Sequence, residues 1–233
     1  MSICQLQGAT TFVGAKRYYN KGVESILRGC VYAYESLKKD GVVCVNDENA
    51  IRDVLVRRYL KNRAFKQRFK LGRFLFDPES VEANGRPDIR VFSPRGMFLD
   101  DEQYYLIECK RLDNQRTRSV SGLNAKYIAN GVFRFVSGCY PCKFKMNFMI
   151  GFLVAPMNID ANVQCINSLF GKHLKDDKNR DVVVYARQKL RQIKGAVRDF
   201  EHIYTSLHKQ NAGDEFMLYH LMLDFSNNIT QKT

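Results

Sequence analysis

Two short runs of strand-forming residues, Ile89, Val91 and Phe92 and then Tyr104 to Ile107, are separated by a stretch from Ser93 to Gln103. That stretch carries a Pro94-Arg95-Gly96 turn signal and an acidic tip at Asp100, Asp101 and Glu102. Branched and aromatic residues favour the pleated, half-buried surface of a sheet, and Pro and Gly mark a reversal between such runs. The chain is therefore expected to form an antiparallel strand pair joined by a long loop. Charge brackets the pair: Gly85-Arg86-Pro87-Asp88 precedes the first strand, and Glu108-Cys109-Lys110 closes the second. Side chains alternate across a strand, so Leu106, Glu108 and Lys110 share one face while Tyr105, Ile107 and Cys109 share the other.

In the register that pairs the two runs, Asp88 brings its carboxylate close to Glu108. Two anions at that range repel unless a cation intervenes. Hard oxygen ligands of this kind suit Mg2+ or Mn2+, which keep several waters and take one or two carboxylates from the protein. An ammonium at Lys110, beside one of those waters, favours hydroxide or stabilises charge developing on a phosphoryl oxygen. The residues point to hydrolytic metal chemistry.

A helix is expected from about Asp47 to Asn62, opened by Asn46 or Asp47 and carrying Ile51, Val54, Leu55 and Tyr59 on one stripe. Glu48 projects near that stripe. Helical angle does not separate Glu48 from Asp47 at its other edge, and Asp53 lies on the opposite side. A plain alternative for Glu48 is that it complements the helix dipole in the first turn.

Pro87, Asp88, Glu108 and Lys110 together resemble the signature of the PD-(D/E)XK nuclease superfamily, the restriction-endonuclease-like phosphodiesterases. The resemblance implies an α/β fold with a central mixed β-sheet flanked by helices, its core running helix, three-strand meander, helix, strand. It implies Mg2+ or Mn2+ held by Asp88, Glu108 and the backbone carbonyl of Cys109, with Lys110 catalytic and Glu48 as the early-helix glutamate that reaches the metal. The stretch Lys126 to Phe135, inside a helix expected over Leu123 to Val136, is similar to the helix after the catalytic strand in bacterial members. It would turn Lys126 and Arg134 toward phosphate; solvated helix charges are the alternative reading of both. Glu79 and Glu82, just before the motif, read as loop charges, with outer metal ligands as the alternative.

Charge agrees with a nucleic-acid partner. The formal charge is +13, from 37 Lys plus Arg against 24 Asp plus Glu, and a field of that sign draws in a polyanion. Between Arg57 and Arg73 lie eight basic residues and no acid, interleaved with Tyr59, Phe65, Phe69 and Leu71. A second basic run, Lys110, Arg111, Arg116 and Arg118, follows the catalytic strand. Arg57, Arg58, Lys61, Arg86, Arg111, Lys126 and Arg134 are the expected nucleic-acid contacts.

The 233 residues are expected to form one domain, with a core over about 47–172, an N-terminal helix over 15–39 and a C-terminal extension, 173–233, packed on it. A strand is expected near 73–76, an apolar strand over 148–154 and a helix over 161–172. Beyond these, 182–185 reads as a short strand, 187–197 as a basic helical segment, and 216–225 as a strand or a helix. No apolar run reaches a membrane span and no secretory leader is visible, so a cytoplasmic protein is expected. Seven scattered cysteines do not suggest a disulfide framework, and the single Cys139-Tyr140-Pro141-Cys142 lacks a second zinc-binding half. His220 reads as a packed core residue, and His202 and His208 as unconnected with metal. The expected function is metal-dependent cleavage of phosphodiester bonds, with DNA as substrate and a homodimer open by analogy. The alternative is a catalytically silent nucleic-acid-binding protein of the same fold.

Overall fold

The computed structural model describes residues 21–78, 86–92, 104–140, 142, 145–210 and 213–230. The loop over 93–103 and both Glu79 and Glu82 lie outside them, as does the expected helical segment before Lys21. Helix α1 (Lys21–Lys39) is followed by the two-residue strand β1 (Cys44–Val45). Helix α2 starts as Glu48–Asp53 and widens to π pitch over Val54–Leu60. A short helix α3 (Arg63–Arg68) then occupies part of the basic run. Asn62 caps it, its side chain accepting from the Phe65 amide at 3.1 Å.

Strands β2 (Leu75–Pro78), β3 (Ile89–Phe92) and β4 (Tyr104–Leu112) form an antiparallel meander. Ile89 stands opposite Ile107, which places Asp88 at the level of Glu108. Helix α4 covers 123–136, with its middle turns, Tyr127–Val132, at π pitch. It leads to β5 (Met146–Leu153), which joins β4 in parallel with Glu108 beside Met149 and Lys110 beside Gly151. Every residue of β5 is buried, as a strand covered on both faces requires. Helix α5 (Ile159–Leu169) follows, capped by Asn158.

After α5 the C-terminal extension adds strands to the sheet. A small hairpin, β6 (Leu174–Lys175) with β7 (Asp181–Val182), precedes β8 (Gln188–Gln192), β9 (Ile203–Lys209) and β10 (Glu215–Asp224). Strand β10 lies parallel to β5 along its length, and the sheet order is β2-β3-β4-β5-β10-β9-β8. The expected basic helix over 187–197 is thus a strand and turn. Lys189 and Arg191 are exposed while Leu190 between them is buried, a period-two pattern that pairing with β9 imposes over the helical preference of Arg, Lys and Gln. The 182–185 segment contributes only Val182 to a strand.

Helices cover both faces of this mixed seven-stranded sheet. Tyr105, Ile107 and Cys109 pack with Ile26, Ile51, Leu55 and Tyr59 of α1 and α2. Leu106 and Leu112 pack on the other side with Tyr127, Ile128, Phe135 and Ile166 of α4 and α5. Gly131 lets α4 come close: a Cβ there would stand 2.5 Å from the Met149 methyl and 3.5 Å from Lys110 Cγ. The end of the chain also ties down α2. Strand β11 (Ile229–Thr230) runs parallel to β1, and Asn228 Nδ2 donates to the Val42 carbonyl at 3.1 Å, just ahead of the turn that starts α2. No helix among the described residues is long and apolar enough to cross a membrane.

A buried polar chain links α4 to the sheet. The Tyr127 hydroxyl lies 2.8 Å from His220 Nδ1, and Ser206 Oγ lies 2.7 Å from both His220 Nε2 and His208 Nε2. Burial holds the His208 pKa down to about 4, and burial together with His208 holds His220 well below 6.5. Both stay neutral in the fold, whereas the unfolded chain takes up protons below about 6.5, so their contribution to stability falls as pH drops from there toward 4. Comparing wild type with His208→Gln by urea denaturation isolates this effect. Between pH 7 and pH 5, wild type is expected to lose about 1 kcal/mol per pH unit more than the variant.

Candidate active site

Three carboxylates and three cations meet where β3 begins beside β4. Asp47 caps α2 by accepting from the Ala50 amide at 3.0 Å, which turns Glu48, not Asp47, toward the sheet. Glu48 Oε1 accepts from Lys110 Nζ at 2.8 Å and Oε2 from the Arg111 amide at 3.0 Å. On the neighbouring strand, Asp88 Oδ2 accepts from the Cys109 amide at 2.7 Å. Glu108, 1% exposed, lies beneath them with Oε1 at 2.9 Å from Lys110 Nζ and 3.2 Å from Arg134 Nη1. Lys110 also donates to the Cys109 carbonyl at 2.7 Å, while the Cys109 thiol is buried on the opposite face.

The structure thus brings Glu48, Asp88, Glu108, Lys110 and the Cys109 backbone into one cluster. Arg134 joins it, spending its guanidinium on Glu108 and on the Tyr140 hydroxyl at 2.5 Å. Arg111 is half-buried and binds the Asn46 carbonyl and side-chain oxygen, each at 2.8 Å, so it fastens the start of α2 to β4. Lys126 is exposed and lines a cavity of about 200 Å3 with Glu48, Lys110 and Arg111. Arg86 lines an adjoining cavity of about 340 Å3 with Phe133, Arg134, Lys178 and Arg180. Asn130 and Asp177 border both, bonded to each other through Asn130 Nδ2 to Asp177 Oδ1 at 2.6 Å and the Asp177 amide to Asn130 Oδ1 at 2.9 Å. Arg57, Arg58 and Lys61 are not part of the cluster. They are exposed along the second half of α2 and at the residue that follows it, with Arg57 paired to Asp53 at 3.3 Å.

Two members of the cluster were not foreseen. Arg52, 2% exposed, donates from Nη1 to Asp88 Oδ1 at 3.2 Å. Its signal was present, since it follows Glu48 by one helical turn and so shares its face. Tyr140 sits inside the Cys-x-x-Cys stretch, where the tyrosine and not the thiols matters to the site. Its hydroxyl lies 2.9 Å from both Glu108 Oε2 and the Arg86 carbonyl. Nothing local to residue 140 announces this.

Electrostatics assigns states to these groups. Burial, then the nearby Asp88, push the Glu108 carboxyl up to about 7 against the pull of Lys110 and Arg134. A proton on Glu108 Oε2 also satisfies the geometry, because it donates to Tyr140, whose single proton then serves the Arg86 carbonyl. Burial works against the charged form of Lys110, but Glu108, Asp88 and Glu48 outweigh it and hold the pKa above the ordinary lysine value. Lys110 is therefore an ammonium that orients or stabilises, not a base that removes a proton.

Among the described residues no group of three His, Cys, Asp or Glu side chains is arranged to hold an ion directly, each carboxylate being turned toward a protein cation. The donor set still fits a hard divalent cation: Asp88, Glu108 and the Cys109 carbonyl offer oxygens alone. Glu108 Oε1 is buried between two cations, Lys110 Nζ at 2.9 Å and Arg134 Nη1 at 3.2 Å. Comparison of the chain with protein-family models, curated proteins and solved structures returned no match.

Replacing Tyr140 by Phe strips a hydroxyl from buried Glu108 and half-buried Arg134. The variant is expected to be less stable by about 1–3 kcal/mol, read as a lower urea midpoint at unchanged m-value.

Proposed function

We propose that this chain is a metal-dependent nuclease with a restriction-endonuclease-like core, hydrolysing phosphodiester bonds in nucleic acid, with DNA the first substrate to test. The observation that supports it best is the Lys110 ammonium, within 3 Å of both Glu48 and Glu108, with Asp88 fixed on the adjoining amide. When bound, Mg2+ or Mn2+ supplies Lewis-acid polarisation of a phosphoryl oxygen and an acidified water. Asp88, Glu108 and the Cys109 carbonyl would hold it, with Glu48 contributing directly or through a water.

The protein's own groups have distinct tasks in this reading. Lys110 orients the attacking water or offsets negative charge on the phosphoryl oxygens, and its raised pKa keeps it charged for that purpose. Arg134 and Tyr140 hold Glu108 in place from behind. Lys126, Arg86 and the exposed face of Arg134 line the cavities beside the cluster, where a phosphate backbone would run. The order of helix, meander, helix and strand around the cluster supports the same family reading.

One observation favours a second reading, a catalytically silent nucleic-acid-binding protein. The three carboxylates already face three internal cations, Arg52, Lys110 and Arg134, so the cluster also works as an ionic core without metal. Salt-sensitive binding with no cleavage and no dependence on divalent ions would select it.

DNA incubated with wild type in Mg2+ is expected to be cut, with cutting abolished by EDTA and lowered about 10²–10³-fold in Lys110→Ala, the usual cost of losing one preorganised stabilising group. Equal cutting by both proteins would remove the proposal. Lys126→Ala is expected to weaken DNA binding alike across sequences and to reduce the slope of log affinity against log salt by about 1.

A further inference from the structure

Arg52 is an unusual tenant of this cluster. Its side chain is 3% exposed, and a guanidinium removed from water demands compensation. Asp53 and Asp88 contribute to it unequally. Asp53, on the same helix, takes Nε at 3.0 Å and Nη2 at 2.8 Å on one oxygen, while Asp88 takes only Nη1, at 3.2 Å. Nη1 is shared with Asn49 Oδ1 at 3.1 Å. Asp53 and Asn49 thus hold Arg52 from its own helix, while Nη1 also reaches Asp88 beside the strand.

Resting on the metal-site reading above, we propose that Arg52 is a built-in counter-ion that occupies Asp88 Oδ1 until a divalent cation displaces it, and that the Arg52–Asp53 pair thereby sets the affinity of the site for its ion. Three features make the exchange feasible. Asp88 Oδ2 stays pinned to the Cys109 amide at 2.7 Å, so the carboxylate keeps its orientation when Oδ1 changes partner. Asp53 is 34% exposed in its side chain and keeps its two contacts to Arg52, so the guanidinium is not stranded when Asp88 leaves it. A divalent cation and a guanidinium repel each other strongly in such a buried setting, so the two do not share Oδ1. Arg52 is a positioning residue that acts through Asp88.

The proposal predicts metal affinities that move in opposite directions for the two members of the pair. Mn2+ binding to the full chain is measured by titration calorimetry, with folding checked by circular dichroism. Arg52→Gln is expected to bind Mn2+ on the order of tenfold more tightly than wild type, the scale of a typical coupling between two ligands. Asp53→Asn is expected to bind more weakly, because Arg52, having lost the charge of Asp53, leans harder on Asp88. Arg63→Gln, which removes the same charge from the exposed start of α3, leaves the affinity unchanged. A purely structural Arg52 would loosen the site and weaken metal binding instead.

Unchanged or weaker Mn2+ binding in folded Arg52→Gln, or an equal gain in Arg63→Gln, overturns the proposal while the wild-type isotherm leaves the metal site standing. If Arg52→Gln does not fold, Asp53→Asn decides, and equal or tighter binding there overturns the proposal. A flat wild-type isotherm at millimolar Mn2+ overturns the metal-site reading and this proposal with it.

Discussion

Lys110 projects from a strand buried on both sides, and its ammonium reaches Glu48 at 2.8 Å and Glu108 at 2.9 Å, so one buried charge joins the tip of α2 to the floor of the site on β4. An ammonium taken out of water without partners costs several kcal/mol and would give up its proton. Here the carboxylates reverse that tendency, and the charge survives because they are where they are. The placement of α2, the turn that begins it and the close approach of α4 at Gly131 all have to agree for this pairing to exist. Arg111, tying Asn46 to β4, and the β1–β11 pair behind that turn reinforce the same joint.

Around this pair the cluster is arranged in opposed charges. Arg52 faces Asp88, Arg134 faces Glu108, and Lys110 stands between Glu48 and Glu108. Such an arrangement keeps carboxylates in place that would otherwise repel. Glu108 Oε1 lies between two of these cations, Lys110 and Arg134. In the proposed reading a divalent ion would compete with these internal pairs for the same oxygens, and the strength of the pairs would decide between them.

How far the residues alone disclosed this depends on the range of the interaction. The meander, the common face of Glu108 and Lys110, and the level of Asp88 against Glu108 follow from alternation and turn chemistry, which act between neighbours in sequence or across one hairpin. Helix α4 was legible from its own apolar spacing. The expected helix over 187–197 was not a helix, because Lys189, Leu190 and Arg191 respond to a partner strand that local preference does not include. The place of 216–225 beside β5 was not readable for the same reason: the parallel seam of β10 with β5 joins residues far apart in the chain.

The order of charges along β3 and β4 is written in local pattern, since a strand's two faces and a hairpin's register need no information from elsewhere in the chain. The partners of those charges are not. Arg52 meets Asp88 across 36 positions, Tyr140 meets Glu108 across 32, and Glu48 meets Lys110 across 62. Whether a buried carboxylate finds an arginine, a tyrosine or an amide depends on how helices stack on the sheet, and that is settled by packing of the two apolar cores. The residue types that make the chemistry possible were therefore readable one segment at a time, while their protonation states and mutual pairing exist only once the layers have closed around them.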